Sequence, residues 1–164
     1  IWSEVRGELD LEGPEGAFRL TAVADRVDHT PEGRLRIIDY KTGAAPSTRE
    51  VKAGFAPQLP LEALIAAEGG FNDLPAAEVE ALEYWRLRGS VPPGEIINIG
   101  DEVETLTEEA REGLLALIRV FDREDTPYEA RPRPDQAPRY SDYEHLARVR
   151  EWSVAGDSRE GAES

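Results

Sequence analysis

Two turn signals partition the N-terminal part of the chain and limit what it can fold into. Gly13-Pro14-Glu15-Gly16 and Thr30-Pro31-Glu32-Gly33 each combine proline, which fixes φ, with glycine, which frees it. The stretches they separate, Ile1 to about Leu11, Ala17 to Asp28 and Arg34 to Tyr40, read as a β-hairpin followed by a further strand. Leu35, Ile37 and Ile38 supply the apolar and β-branched bulk of that third strand.

The pattern then changes. After a polar loop, Ala56 to Ala67 is rich in helix formers, keeps Pro57 and Pro60 in its first turn and stops at Gly69-Gly70. Val79 to Arg88 reads as a strand with Leu82 and Tyr84 on one face and Trp85 and Leu87 on the other, and a short strand follows around Ile96 to Ile99. Thr105 and Glu108 form a Thr-x-x-Glu capping box, and Leu114, Leu117, Ile118 and Phe121 recur at helical spacing, which predicts a helix from Thr105 to Glu124. Thr126 to Arg139 is a proline-rich, locally basic strap. A second box, Ser141 to Glu144, opens a last helix ending near Trp152. The expectation is one α/β domain over residues 1–152, a central mixed sheet flanked by helices, with a polar, disordered tail over 153–164.

Composition removes several function classes. The 164 residues include no Cys, which excludes disulfides, thiolate zinc and Cys-ligated iron–sulfur clusters. No apolar run approaches the roughly 20 residues that span a bilayer, and the N-terminus lacks a signal-peptide pattern. A soluble, intracellular protein with no membrane partner is expected. With no Met and an opening Ile1-Trp2-Ser3, the chain reads as part of something larger.

The net charge of -15 argues at first against a nucleic-acid partner. Its distribution weakens the objection, because residues 50–109 alone carry -10 and residues 1–49 only -2. Seventeen of the bases are Arg, and Lys41 and Lys52 are the two Lys. A lysine at a chemically suggestive position is therefore easy to notice.

Lys41 occupies such a position. Ala22-Val23-Ala24-Asp25-Arg26-Val27-Asp28 is followed, after the turn, by Ile37-Ile38-Asp39-Tyr40-Lys41-Thr42-Gly43. Asp39 and Lys41 are two apart on a strand and project from one face, with Cα atoms roughly 7 Å apart. If the strands pair through the Thr30 to Gly33 turn, Asp25 or Asp28 lies beside Asp39. Two carboxylates and a lysine at a sheet end make a hard-oxygen site for Mg²⁺, with the Tyr40 backbone carbonyl as a further ligand. An isolated Asp-x-Lys is most often a solvated ion pair. Here it ends an apolar strand, has an acid on the strand before it and uses a scarce residue.

Other candidates carry weaker signals. Arg131, Arg133 and Arg139 can track a DNA backbone, with Tyr128 and Tyr140 free to stack, or belong to a strap that wraps the domain or packs on a partner. Asp28 reads as a structural partner of Arg26 or Arg36, or as a supporting acid. Trp85, Trp152 and Phe121 read as core or interface anchors. His29 and His145 are lone histidines; His29, beside Asp28 at a turn, reads as a polar surface residue or as a metal ligand.

Ala-Asp-Arg-Val-Asp, then Ile-Asp-Tyr-Lys-Thr-Gly, then Pro-Gln-Leu-Pro-Leu-Glu together resemble the RecB-like branch of the PD-(D/E)XK nucleases, in particular the C-terminal nuclease domains of AddB-type subunits. The resemblance runs from about Trp2 to Trp152. It implies a restriction-endonuclease-like core, Asp25 and Asp39 as metal ligands, Lys41 as the catalytic lysine, and Gln58 as the glutamine of a Gln-x-x-x-Tyr motif near the site and the DNA. It also implies Mg²⁺, for which Mn²⁺ can substitute, and DNA and an AddA-type helicase–nuclease subunit as partners. The setting it implies is the bacterial cytoplasm, where such enzymes process double-strand breaks.

The departures from the family pattern are specific. Ala22 stands where the family has Gly, and Glu62 stands where the motif has Tyr. The four-Cys iron–sulfur cluster of many relatives is missing, and the segment from Pro138 to Tyr143 resembles the cluster-free form. The family's upstream helix, whose His or Glu completes the metal site, does not precede Ile1, so weak nuclease activity is expected of this segment alone. Two other readings stand beside catalysis: a nuclease-like scaffold that holds a partner or guides a strand, and an unrelated acidic domain in which Asp39 and Lys41 are only an ion pair.

Overall fold

Gly16 and Gly33 adopt φ values of 134° and 84°, a region glycine enters without steric cost, and the chain reverses at both predicted turns. The computed structural model describes residues 1–89, 91–123 and 126. Along the chain lie β1 (Trp2–Gly13), β2 (Gly16–His29), β3 (Leu35–Lys41), α1 (Thr48–Lys52), α2 (Gln58–Ala67), β4 (Val79–Leu87), β5 (Gly94–Asn98) and α3 (Val103–Phe121). Residues Ile1–Glu124 gather into one compact unit and Asp125–Ser164 into a second, of which only Thr126 is described. The strap, the last helix, Arg131, Arg133, Arg139, Tyr128, Tyr140, His145 and Trp152 lie outside the described residues.

The sheet order is β1-β2-β3-β4-β5. β1, β2 and β3 form an antiparallel meander, β4 lies parallel to β3, and β5 returns antiparallel to β4. A parallel neighbour needs a crossover, and the segment with α1 and α2 supplies it. The result is the mixed sheet of an α/β domain.

The core sits between the sheet and α2 and α3. Leu35 and Ile37 of β3, Leu82 and Tyr84 of β4, Leu59, Ala63, Ile65 and Ala66 of α2, and Val103 and Leu106 of α3 share one buried cluster. Helix α2 is apolar almost all round, as a helix enclosed on most sides must be. Each fully buried Leu or Ile contributes roughly 1.5–3 kcal/mol, so this cluster is the main source of the domain's stability.

Two close approaches pin the β1–β2 ribbon to the crossover. Glu8 N–H donates to Gly70 O at 3.0 Å and Asn72 N–H to Arg6 O at 2.9 Å. A Cβ on Gly7 would run into the Phe71 ring and come within 2.8 Å of Ile65 Cγ2. No side chain fits at Gly7 without displacing that segment.

The helices depart from the sequence expectation in two places. Ser47 caps α1, its hydroxyl accepting from Glu50 N–H while Glu50 accepts from Ser47 N–H; this region reads as loop from sequence, although Ser47-x-x-Glu50 is itself a capping box. Helix α3 begins at Val103 and the Thr105–Glu108 box does not form. Val103 and Leu106 are buried and draw the helix start two residues earlier, and Thr107 Oγ1 donates to Val103 O at 2.8 Å. Of the four periodic residues Ile118 is buried, whereas Leu117 and Phe121 are exposed.

Candidate active site

The site forms where the sheet splits. Pairing between β2 and β3 runs from His29 and Leu35 to Arg26 and Ile38 and ends there. The next residues in register are Asp25 and Asp39. Instead of continuing the ladder, Tyr40 N–H donates to Asp25 Oδ2 at 2.9 Å. Opposite Asp25 on β1, Glu4 has φ 51°, and Ala24 and Val27, three apart, are both fully buried where strict alternation would bury only one. An irregularity of this kind re-aims a strand.

β3 itself continues to Lys41, paired only with β4 from Asp39 onward. Its alternation places Leu35, Ile37, Asp39 and Lys41 on the helix side. Lys41 Nζ lies 2.8 Å from Asp39 Oδ2, and 5.8 Å from the centroid of the Tyr84 ring. Asp39 is 2% exposed, whereas the Lys41 side chain is 30% exposed and reaches solvent.

Gln58 joins the group from the first turn of α2. Its Nε2 donates to Asp39 Oδ1 at 2.7 Å and to Glu62 Oε1 at 3.1 Å, so the two protons of one amide are divided between two carboxylates. Positions 58 and 62 are one helical turn apart, which puts both over β3. Glu62 is 2% exposed. Burial, reinforced by the charges of Asp39 and Asp25 and opposed by Gln58 and Lys41, pushes its pKa up to about 7. Burial and the charges of Asp39 and Glu62 likewise push the Tyr84 hydroxyl up to about 12, so it stays protonated.

The structure therefore brings Asp25, Asp39, Lys41 and Gln58 together. It places Asp28 elsewhere: Asp28 accepts from Arg26 Nε and Nη2, each at 2.7 Å, and pairs in register with Arg36 on the opposite face. His29 is exposed and meets the Trp2 ring edge-on, with centroids 6.4 Å apart. Trp85 is half-buried on the opposite face, its Nε1 donating to Glu83 at 2.7 Å and its ring under Arg26. Glu62 is the site residue that the sequence reading treats only as a departure. The available signal is a single acid in the otherwise apolar turns of α2, four residues after Gln58.

A divalent cation fits the donor chemistry here. Asp39 Oδ2 and Glu62 Oε2 are buried without a hydrogen-bond donor, the Lys41 approach to the former being a charge contact outside hydrogen-bond geometry. Unsatisfied carboxylate oxygens are hard ligands. No three or more His, Asp or Glu among the described residues gather closely enough to enclose a metal, and Mg²⁺ commonly takes one or two carboxylates and completes its shell with water and phosphate oxygens.

An α/β domain with a mixed five-stranded sheet, carrying an acid and a lysine at the end of one strand and a second acid on its neighbour, has the restriction-endonuclease-like arrangement. Residues 1–143 match the PD-(D/E)XK nuclease superfamily, and the chain belongs to it. Members of that superfamily are generally metal-dependent nucleases. Relatives among curated proteins are uncharacterized proteins of Rickettsia. One from Rickettsia bellii is 28% identical over 134 residues, 74% of this chain and 16% of that protein. One from Rickettsia felis is 38% identical over 72 residues, 44% of this chain and 8% of that protein. The chain thus spans less than a fifth of the length of these relatives. The crystal structure of SSO0001 matches 70% of this chain and 50% of its own, at 12% identity and a TM-score of 0.42. Among the described residues no helix is long and apolar enough to cross a membrane.

Proposed function

We propose that this domain hydrolyses DNA phosphodiesters as the Mg²⁺-dependent exonuclease domain of a helicase–nuclease that processes double-strand breaks for recombinational repair, working with an AddA-type subunit in the bacterial cytoplasm. The observation that carries the reading is the convergence of Asp39, Lys41 and Gln58 beside Asp25 at a split in the sheet. Asp25 and Asp39, with the Tyr40 carbonyl, would hold the cation, Mg²⁺ or Mn²⁺. When bound, that cation supplies Lewis acidity at the scissile phosphate and a more acidic water.

The chain's own groups do the rest. Lys41, tethered by Asp39 yet open to solvent, orients the attacking water and offsets phosphate charge. Gln58 restrains Asp39 through one hydrogen bond and leaves its other oxygen available. Tyr84 is a wall under the ammonium. Arg131, Arg133 and Arg139 remain candidates for tracking the DNA backbone.

The test uses the full-length protein with its partner on linear duplex DNA, with and without Mg²⁺. Asp39→Ala and Lys41→Ala each abolish Mg²⁺-dependent degradation while DNA binding persists. If both variants degrade DNA as the parent does, the catalytic reading is wrong. The second reading is a nuclease-like scaffold for a partner subunit or a guided strand. The presence of Glu62 where the family motif has Tyr favours it, and loss of cleavage with retained binding in the two variants would remove it.

A further inference from the structure

The stretch from Glu50 to Glu109 carries thirteen acids and three bases, so each base there has acids nearby. Two are paired. Lys52 Nζ lies 3.3 Å from Glu102 and Arg88 Nη2 3.0 Å from Glu95. Arg86 is different: among the described residues no carboxylate pairs with it, and its Nε is buried with no hydrogen-bond partner. The acid across from it in register is Glu95, and that carboxylate has turned to Arg88. A guanidinium is always charged and carries five donors. The Nε is shut off from an incoming ligand, but a charged guanidinium with no carboxylate paired to it favours an anion at its terminal nitrogens.

The strand register says where that anion would lie. Arg86 is the parallel partner of Lys41, as Tyr84 is of Asp39. Residues paired across parallel strands face the same way, with strands roughly 4.8 Å apart. Two cations therefore stand side by side at the C-terminal ends of two parallel strands, where open α/β sheets bind their ligands. Lys41 has a carboxylate partner and Arg86 has none. An anion between them relieves the repulsion between the two charges and meets the terminal nitrogens of the guanidinium, and a phosphate suits both cations in charge.

We propose that Arg86 is a binding residue for the DNA backbone, contacting a phosphate beside the one served by Lys41. This rests on the nuclease reading above. Arg86 has no part in the chemistry itself; its contribution is to affinity and to the register of the strand.

The experiment measures binding of a fluorescein-labelled single-stranded DNA 20-mer by the full-length protein in EDTA, which prevents cleavage, over a series of NaCl concentrations. Arg86→Gln weakens binding about 5- to 20-fold and lowers the slope of log K against log salt by roughly 0.7–1, the signature of one lost phosphate contact. Arg86→Lys keeps the slope. Arg19→Gln, at the distant hairpin where Arg19 is already paired with Asp10, changes neither. The proposal is overturned if the parent binds and Arg86→Gln binds with the same affinity and slope, or if Arg86→Lys and Arg86→Gln lose binding equally along with thermal stability, which marks a structural role. Failure of the parent to bind DNA at any salt sinks the nuclease reading itself, a different outcome.

Discussion

The two faces of the sheet use the same kinds of residue to opposite ends. On the face away from α2, charges close on one another: Asp28 holds Arg26 through two bonds, Arg26 lies 5.0 Å from the centroid of Trp85, Trp85 donates to Glu83, and Arg36 reaches Glu80 and Glu83. On that face Arg36 Nε also lacks a hydrogen bond, but it lies 3.3 Å from the Glu83 carboxylate. On the helix side Asp39, Glu62 and Arg86 each keep a buried polar atom without a hydrogen-bond partner, and Arg86 has no carboxylate paired with it among the described residues. Buried groups left short of partners are costly. A face that saturates itself is built for stability, and a face that leaves oxygens and a guanidinium open is built to receive something.

The largest effect that tests this contrast compares one acid from each face. Asp39→Asn lowers Mg²⁺-dependent cleavage by roughly 10³-fold or more, the scale of losing a group that acts on the transition state, whereas Asp28→Asn leaves the rate within about twofold; a nuclease assay on linear DNA reads both. Next comes Glu62. Its pKa is raised in the folded chain to about 7 from 4.5, so the fold takes up a proton that the unfolded chain has released. The contribution of Glu62 to stability is then fully present below about pH 4.5, falls between about pH 4.5 and 7, and is lost above. Glu62→Gln keeps an acceptor for Gln58 and removes the titration, so it raises stability above pH 7 by roughly 3 kcal/mol and flattens the profile; urea melts at pH 5 and pH 8 check it.

A smaller effect belongs to the opposite face. Arg26 and Asp28 are only 23% and 20% exposed and bonded twice, and a double-mutant cycle on Arg26→Ala and Asp28→Ala should give a coupling of about 1 kcal/mol. The smallest is at the hairpin, where Arg19 is widely exposed beside Asp10. Arg19→Ala leaves the melting temperature unchanged by thermal denaturation.

Local chemistry made much of this legible beforehand. Gly and Pro announce the turns, and a period of two guarantees that Asp39 and Lys41 share a face. The turn at Gly33 brings Asp25 or Asp28 beside Asp39 without choosing between them, and the resemblance alone singles out Asp25. Gln58 was reachable only through resemblance, since nothing local says that α2 crosses over β3. Glu62 needed the same crossover to acquire meaning. Arg86 depended on β4 pairing in parallel with β3, a tertiary fact with no trace in the segment from Val79 to Leu87. The Thr105–Glu108 box shows the converse error: a sound local signal was outweighed by burial of Val103 and Leu106.

Asp25 has a mechanical consequence as well. Its carboxylate takes the Tyr40 N–H, a donor that a longer β2–β3 ladder would claim for a backbone carbonyl. It thus works like the stop at the end of a zipper, and the gap beyond it exists because the two strands are held from closing. Replacing it with alanine removes a charge and also frees the Tyr40 N–H, so the two strands lose the side chain that stands between them at this point. The acid that would grip the cation also holds the two strand ends apart.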